Sequence, residues 1–340
     1  MGFLLSGAAL FLAQEKDFQL HTRVDLVVVP VSVRDNVGSL RTNLTQDDFT
    51  ILEDNKQQSI SNFSSDPVPL SAAIVIDTGV SGGELRRLDL VLGTLLHQFQ
   101  ESDEIASYRY DHLVTKLSDF TNNQQLIAQS FESVKAIAET KPDDGTPGGA
   151  LGPSPLRWIL DRTQIGTNGA PSVAGAPGTP TAPPPPPRAA PQSKALHDAI
   201  FSAVTDLEKR PINHRRIVIL VSNGQVSGNN EHSEAETQTR ILRSNVQVYA
   251  VGTDLKLFDH MTVLNGYAHS SGGAVFDGGR VESMGTSLGQ AVAQARDQYV
   301  LGYVSSNEVS GTRPVFRRIE VKIKEPKFKA TYRTGYLQYP

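Results

Sequence analysis

Apolar positions along the chain change their period twice. From Arg23 the stretch "RVDLVVVPVSVRD" sets valines at roughly alternate positions, and "NVGSLRTNLTQDDFTILEDNKQQSISNFSS" breaks into short runs at Asn, Gly and Asp turns. No helical period precedes Pro69, so 23–68 is predicted to form a small β unit. Leu70, Ala72, Ala73, Ile74, Val75 and Ile76 then make an unbroken apolar run, the mark of a strand buried on both faces. From Glu84 to Phe99 the period becomes helical, with Leu85, Leu88, Leu92, Leu95, Leu96 and Phe99 on one face. "EIASYRYD" and "LVTKLSDF" read as two hairpin-joined strands, and Asn122 to Ala138 as a second amphipathic helix.

Beyond an interruption the alternation resumes. Lys194 to Lys209 is predicted as a helix, "RRIVILVSNG" as a buried strand, Glu234 to Ser244 as a helix and "VQVYAVGTD" as a strand. "MTVLNGYAHSSGGAVFD" holds a short helix and a strand, and Met284 to Arg296 is helical. "QYVLGYVSS", "PVFRRIEVKIKEP" and "FKATYRTGYLQYP" return to β alternation. Strands alternating with helices predict a doubly wound, mostly parallel sheet of the α/β class. The simplest architecture inserts that domain, 69–298, into a β-sandwich made by 23–68 and 299–340, since neither end alone has enough strands to cover a hydrophobic face.

The interruption, about 141–192, is rich in Gly, Pro and Ala and ends in "GTPTAPPPPPRAAPQ". Such composition buries too little apolar surface to offset its ordering entropy, so it reads as a surface insertion. Its prolines serve either as a spacer or as a polyproline II ligand. Residues 1–22 open with an uncharged apolar run, Gly2 to Ala13, followed by polar sequence. It is signal-like and points to a secreted, periplasmic or cell-envelope location, with a buried strand or interfacial anchor as the alternative.

Composition narrows the function. The chain has 340 residues, about two domains' worth, with 32 basic against 36 acidic residues. That balance provides no basic footprint for nucleic acid. With no cysteine, thiol catalysis, disulfides and Cys-type zinc sites are excluded. No apolar segment is long enough to span a bilayer. Asp103 and Glu104 read as solubilising charges at a helix end, and the basic pairs in "HRR" (214–216) and "FRR" (316–318) as solvated strand starts.

The stretches "VVVPVSVRDNVGSLRTNLTQDDFTILEDNKQQSISNF", "DEIASYRYDHLVTKLSDFT", "ALHDAIFSAVTDL", "SSGGAVF" and "QYVLGYVSSN", in that order, give the resemblance. Residues from about Pro69 to Tyr303 resemble a von Willebrand factor type A (vWA) domain, Rossmann-like in architecture. The whole chain resembles the bacterial VWFA-related Acidobacterial domain family. The resemblance implies a metal-ion-dependent adhesion site at the C-terminal edge of the parallel sheet. Its pattern is Asp-x-Ser-x-Ser after the first strand of that domain, a Thr on a second loop and an Asp after the fourth strand. Here Asp77-Thr78-Gly79-Val80-Ser81 keeps Asp77 and Ser81 but has Gly79 at the central Ser. Asn223 of Ser222-Asn223-Gly224 replaces the later Asp, and Lys194 stands where the Thr would precede "AL". Ser193, or Thr146 of "DDGTPGG", could stand in for that Thr. A Lys194 that projects into the crevice would put its ammonium in the cation's place, paired with Asp77.

The expected function is therefore a non-enzymatic protein-interaction or adhesion module with a degenerate adhesion site and a protein partner. A working Mg²⁺-dependent adhesion domain, with Asp77 and Ser81 as ligands, is the first alternative. A hydrolase is the second, and it lacks support: Ser81, Asp77 and His97 or His112 come without a Gly-x-Ser-x-Gly elbow.

Overall fold

The computed structural model describes residues 26–143, 194–227, 229–253, 261–308 and 312–340. The signal-like segment, Thr146, Ser193 and nearly all of the Gly/Pro-rich stretch lie outside the described residues. The described chain opens with β1 (Leu26–Arg34), β2 (Phe49–Glu53), β3 (Lys56–Gln58) and β4 (Ile60–Ser64). Next come β5 (Leu70–Asp77), α1 (Gly82–Leu96), β6 (Glu104–Tyr110), β7 (Val114–Thr121) and α2 (Gln124–Thr140). The second half holds α3 (Leu196–Leu207), β8 (Arg215–Ser222), α4 (Glu234–Ser244), β9 (Gln247–Gly252), α5 (Met261–Ser271), β10 (Val275–Asp277) and α6 (Val281–Arg296). β11 (Tyr299–Val304), β12 (Val315–Ile323), β13 (Lys329–Tyr332) and β14 (Gly335–Gln338) follow.

The architecture is mixed α/β: one mostly parallel sheet and two antiparallel ones. The first has the order β10-β9-β8-β5-β6-β7, parallel except for the β6–β7 hairpin. Every residue of β5 is buried, and strand alternation divides them between two cores. Leu70, Ala72, Ile74 and Ile76 pack with the apolar faces of α1, α2 and α6, whereas Ala73 and Val75 pack with those of α3, α4 and α5. Helices on both faces explain why the run is continuous rather than alternating.

The antiparallel sheets draw on both ends of the chain, with orders β13-β1-β11-β4 and β14-β12-β2-β3. Val27, Val29, Val31, Val33, Leu301 and Tyr303 of the first share one buried cluster with Phe49, Ile51, Ile319, Val321 and Tyr336 of the second.

Three charged positions differ from the sequence expectation. Asp103 is buried: it accepts from the amides of Leu70 (2.8 Å) and Gln100 (2.7 Å) and pairs with Arg296 of α6. Glu104 pairs with Arg210 and accepts from Ser71 Oγ at 2.6 Å. Arg215 is buried and donates to the carbonyls of Ala295 and Arg296 at the C-terminus of α6. Each charge closes an otherwise unsatisfied backbone end or ion pair, a role that depends on residues distant in sequence.

Asp206, at the end of α3, ties that helix to the hairpin by accepting from Tyr108 OH (2.9 Å) and Lys116 Nζ (3.0 Å), and from Lys209 Nζ (2.8 Å). Desolvation pushes its carboxyl up, but the hydrogen bonds from Lys209, Lys116 and Tyr108 outweigh it and bring the pKa down to about 2. A depressed folded pKa means the unfolded chain binds the proton first as pH falls. The stabilisation is thus full above the ordinary carboxylate range and is lost as pH drops through the folded value. Asp206→Asn should lower the melting temperature at neutral pH, and the gap from wild type should close between about pH 4 and pH 2 in thermal melts.

Candidate functional site

The parallel sheet reverses its winding between β5 and β8, and such a point leaves a crevice beyond the C-terminal ends of the strands. Asp77 ends β5 and Ser222 ends β8, so both face this crevice, with Asn223 next in chain. Lys194 reaches it from the two-residue lead into α3, which begins at Leu196 rather than at Lys194 itself. Both flanking loops fix that lead. Lys194 N donates to Ser227 Oγ (2.7 Å), Asn230 Nδ2 donates to Lys194 O (3.1 Å), and Ala195 N donates to Asp111 O (2.8 Å).

With its backbone clamped, the Lys194 side chain runs inward. Its Nζ lies 3.0 Å from Asp77 Oδ2 and 2.9 Å from Asn223 Oδ1, and the side chains of Lys194 and Asp77 are 2% and 0% exposed. Asp77 also accepts from Gly79 N at Oδ1 (2.9 Å) and from Ser222 Oγ at Oδ2 (3.1 Å). Since Ser222 gives its one proton to Asp77, the Tyr110 hydroxyl 2.8 Å away donates to Ser222. Burial pushes the Asp77 carboxyl above its usual range, against the pull of the Lys194 ammonium and of its other donors. Burial, then the Asp77 charge, drives the Tyr110 hydroxyl well above its own range, so it stays a donor.

Two glycines make room for this arrangement. A Cβ on Gly79 would lie 3.1 Å from both Lys194 Cε and Asp77 Oδ1, so a side chain there would crowd the lysine stem and push it by a few tenths of an ångström. A Cβ on Gly82 would sit 2.1 Å from the carbonyl oxygen of Lys141, whose Nζ donates to Thr78 O at 2.9 Å. Segments on either side of the Gly/Pro-rich stretch therefore press on the same β5–α1 loop.

Ser81 has a different occupation from the one its motif position implies. It is the N-cap of α1: its Oγ accepts from Glu84 N (3.2 Å) and donates to Glu84 Oε2 (2.8 Å), which also accepts from Ser81 N (3.0 Å). Glu84 Oε1 in turn accepts from Thr253 Oγ1 at 2.8 Å. The Ser-x-x-Glu spacing of a capping box was available in "SGGE" and is the signal that assigns this role. Tyr110, Ser227 and Asn230 carry no motif and emerge only from the fold.

A hard divalent cation needs several oxygen ligands at short range. This donor set does not fit one. An ammonium stands between Asp77 and Asn223, the Ser81 hydroxyl is spent on Glu84, and Asn223 contributes no charge. Among the described residues no cluster of three or more His, Cys, Asp or Glu side chains is arranged to hold a metal. His112 pairs with Asp111 at 2.9 Å, and His97 caps the far end of α1, about 24 Å along the helix from Ser81.

No family model and no curated protein matches this chain. Among solved structures it is similar to the conserved hypothetical protein BatB from Bacteroides thetaiotaomicron, with TM-score 0.40 and 11% identity over 66% of this chain and 98% of that one. It is similar to proximal thread matrix protein 1 from the mussel byssus, whose structure has a zinc-occupied MIDAS motif, with TM-score 0.41 and 13% identity over 72% of this chain and 49% of that one. An aerotolerance-related membrane protein from Bacteroides fragilis superposes with TM-score 0.39 and 11% identity over 66% of this chain and 100% of that one. Among the described residues, no helix is long and apolar enough to cross a membrane.

Proposed function

We propose that the chain is a non-enzymatic protein-interaction module of the vWA type, exported to the cell envelope, whose Lys194 ammonium permanently replaces the divalent cation of an adhesion site. The observation that carries this reading is the buried Lys194–Asp77–Asn223 contact at the C-terminal edge of the sheet. In an adhesion site a bound metal would hold the edge loops and offer a coordination position to an acidic group of the partner. Here Lys194 holds the loops and is itself enclosed, so the partner engages the rim of the edge without a metal bridge. The two antiparallel sheets act as a β-sandwich that carries the module, and the signal-like 1–22 segment supports export. A non-enzymatic role accords with the Ser71–His214 contact: Ser71 Oγ lies 3.1 Å from His214 Nδ1, but Ser71 is fully buried and donates to Glu104.

Thermal melts test the reading. Mg²⁺ or Mn²⁺ should leave the melting temperature of the unmodified protein unchanged. The combined change Gly79→Ser, Lys194→Thr and Asn223→Asp restores the family pattern and removes the lysine stem that a side chain at 79 would crowd. For that variant, a Kd near 0.1 mM at about 10 mM Mg²⁺ would add about 2.7 kcal/mol. Its melting temperature should therefore rise with Mg²⁺ by about 5–10 °C. A metal-dependent rise in the unmodified protein, abolished by Asp77→Ala, would restore the Mg²⁺-dependent alternative.

A further inference from the structure

The sheet-edge contact gathers a primary amine, a carboxyl group and a carboxamide around one nitrogen, with the Lys194 and Asp77 side chains closed to water. These are the two reactants of a transamidation and the proton carrier it needs. The orientation of Asn223 suits the reaction. Its Oδ1 accepts from Lys194 Nζ at 2.9 Å and from Gln225 N at 3.1 Å, so two donors fix the oxygen towards them and turn Nδ2 away. Lys194 Nζ is thus one atom removed from the carboxamide carbon, and the Gln225 amide is placed to hold charge that develops on Oδ1.

Both reactants are held. The Lys194 backbone is clamped by Ser227, Asn230 and Asp111. Asn223 lies between Ser222, which donates to Asp77, and Gly224, whose amide donates to Ser222 Oγ at 2.9 Å. Asp77 Oδ2 lies 3.0 Å from Nζ, and burial, which pushes its carboxyl up, makes it a better proton acceptor than a carboxylate in water. Asn223 itself is half-buried, which leaves ammonia a way out.

We infer that Lys194 and Asn223 join through a self-catalysed isopeptide bond, with Asp77 as the proton carrier. The inference rests on Lys194 occupying the cation's place and makes that occupation covalent. Nζ gives a proton to Asp77 Oδ2, and its lone pair then attacks Asn223 Cγ as the carbonyl electrons move to Oδ1. Asp77 passes its proton to Nδ2 and takes another from Nζ. The Cγ–Nδ2 bond breaks, the carbonyl re-forms and ammonia leaves. Asp77 ends as the neutral acid, so no buried charge is stranded. The charged pair is the resting form and the neutral pair that reacts is the minor one. Freshly folded protein therefore carries the ammonium contact, and the linkage accumulates on standing.

Mass spectrometry of the full chain, fresh and aged, tests this. The aged chain should contain a species lighter than its sequence by one ammonia, about 17 Da. Its tryptic digest should hold residues 189–209 covalently joined to residues 217–240. Lys194→Arg, whose guanidinium does not give up its proton, and Asp77→Asn should keep the full mass. An aged parent chain of full mass overturns the bond. If its melting also ignores Mg²⁺, the ammonium reading of the site survives that failure. The same mass loss without joined peptides would place a succinimide at Asn223-Gly224, and a gain of about 1 Da there would mean deamidation. Either result overturns the linkage. Joined peptides in Asp77→Asn would overturn the role of Asp77.

Discussion

Lys194→Met is expected to lose about 3–5 kcal/mol of folding stability, because it leaves the Asp77 carboxylate enclosed without its cation. The methionine fills much of the stem's volume, so the loss reports the charge and not a cavity. At the size of this α/β domain such a loss lowers the melting temperature by about 10 °C or more. Adding Asp77→Asn to the same protein should recover more than half of it, since a neutral amide needs no counter-ion, still accepts from Gly79 N and can donate to a turned Ser222 hydroxyl. Urea unfolding of the two single variants and the double variant measures the coupling. Additive effects would mean that Asp77 and Lys194 do not act as a pair.

Glu53→Ala should be nearly as damaging, by about 4 kcal/mol, because it strands several buried donors at once. Glu53 is fully buried at the end of β2 and accepts from Tyr303 OH (2.7 Å), Tyr336 OH (3.0 Å), Ser305 Oγ (2.6 Å) and Asn307 Nδ2 (2.7 Å). One residue from the N-terminal part thus joins four from the C-terminal part. Glu53→Gln keeps the shape and should lose only about 1–2 kcal/mol, the hydroxyls turning to accept from the new amide. Denaturant unfolding checks both, and an Ala variant as stable as the Gln variant would remove the carboxylate's role in joining the chain ends.

The parts of the fold visible in the sequence were those set by local period. The continuous run of β5 and the 3.6-residue spacing of α1 and α2 identify elements because burial on two faces or one leaves that trace. Element ends were less visible. α1 was expected from Glu84, yet Ser81 caps it and the helix begins at Gly82, because the cap's hydrogen bonds matter more than the glycines' low helix propensity. Charged residues were misjudged where their partners are remote: Asp103 meets Arg296 across 193 residues, and Arg215 meets Ala295 across 80. Nothing in the local pattern around "SDEI" or "HRRI" marks such contacts.

At the sheet edge the sequence named Gly79, Lys194 and Asn223 as one set of departures from a pattern that Asp77 keeps. Why they occur together is a matter of space. The lysine stem passes close enough to Gly79 that a side chain there would crowd it, and its ammonium takes an acceptor from each of two strand ends. A neutral Asn223 suits this site, since a single ammonium already balances the one buried carboxylate.

Crystals of the unmodified protein soaked in about 10 mM Mn²⁺ give the most direct measurement, because manganese scatters anomalously and binds oxygen sites of the Mg²⁺ type. The Lys194 account predicts no anomalous peak at the sheet edge, with density for the lysine Nζ continuous to Asp77. The Gly79→Ser, Lys194→Thr, Asn223→Asp variant, soaked in the same way, should show the peak. A manganese peak within bonding distance of Asp77 in the unmodified protein, with Lys194 turned out of the crevice, would contradict it.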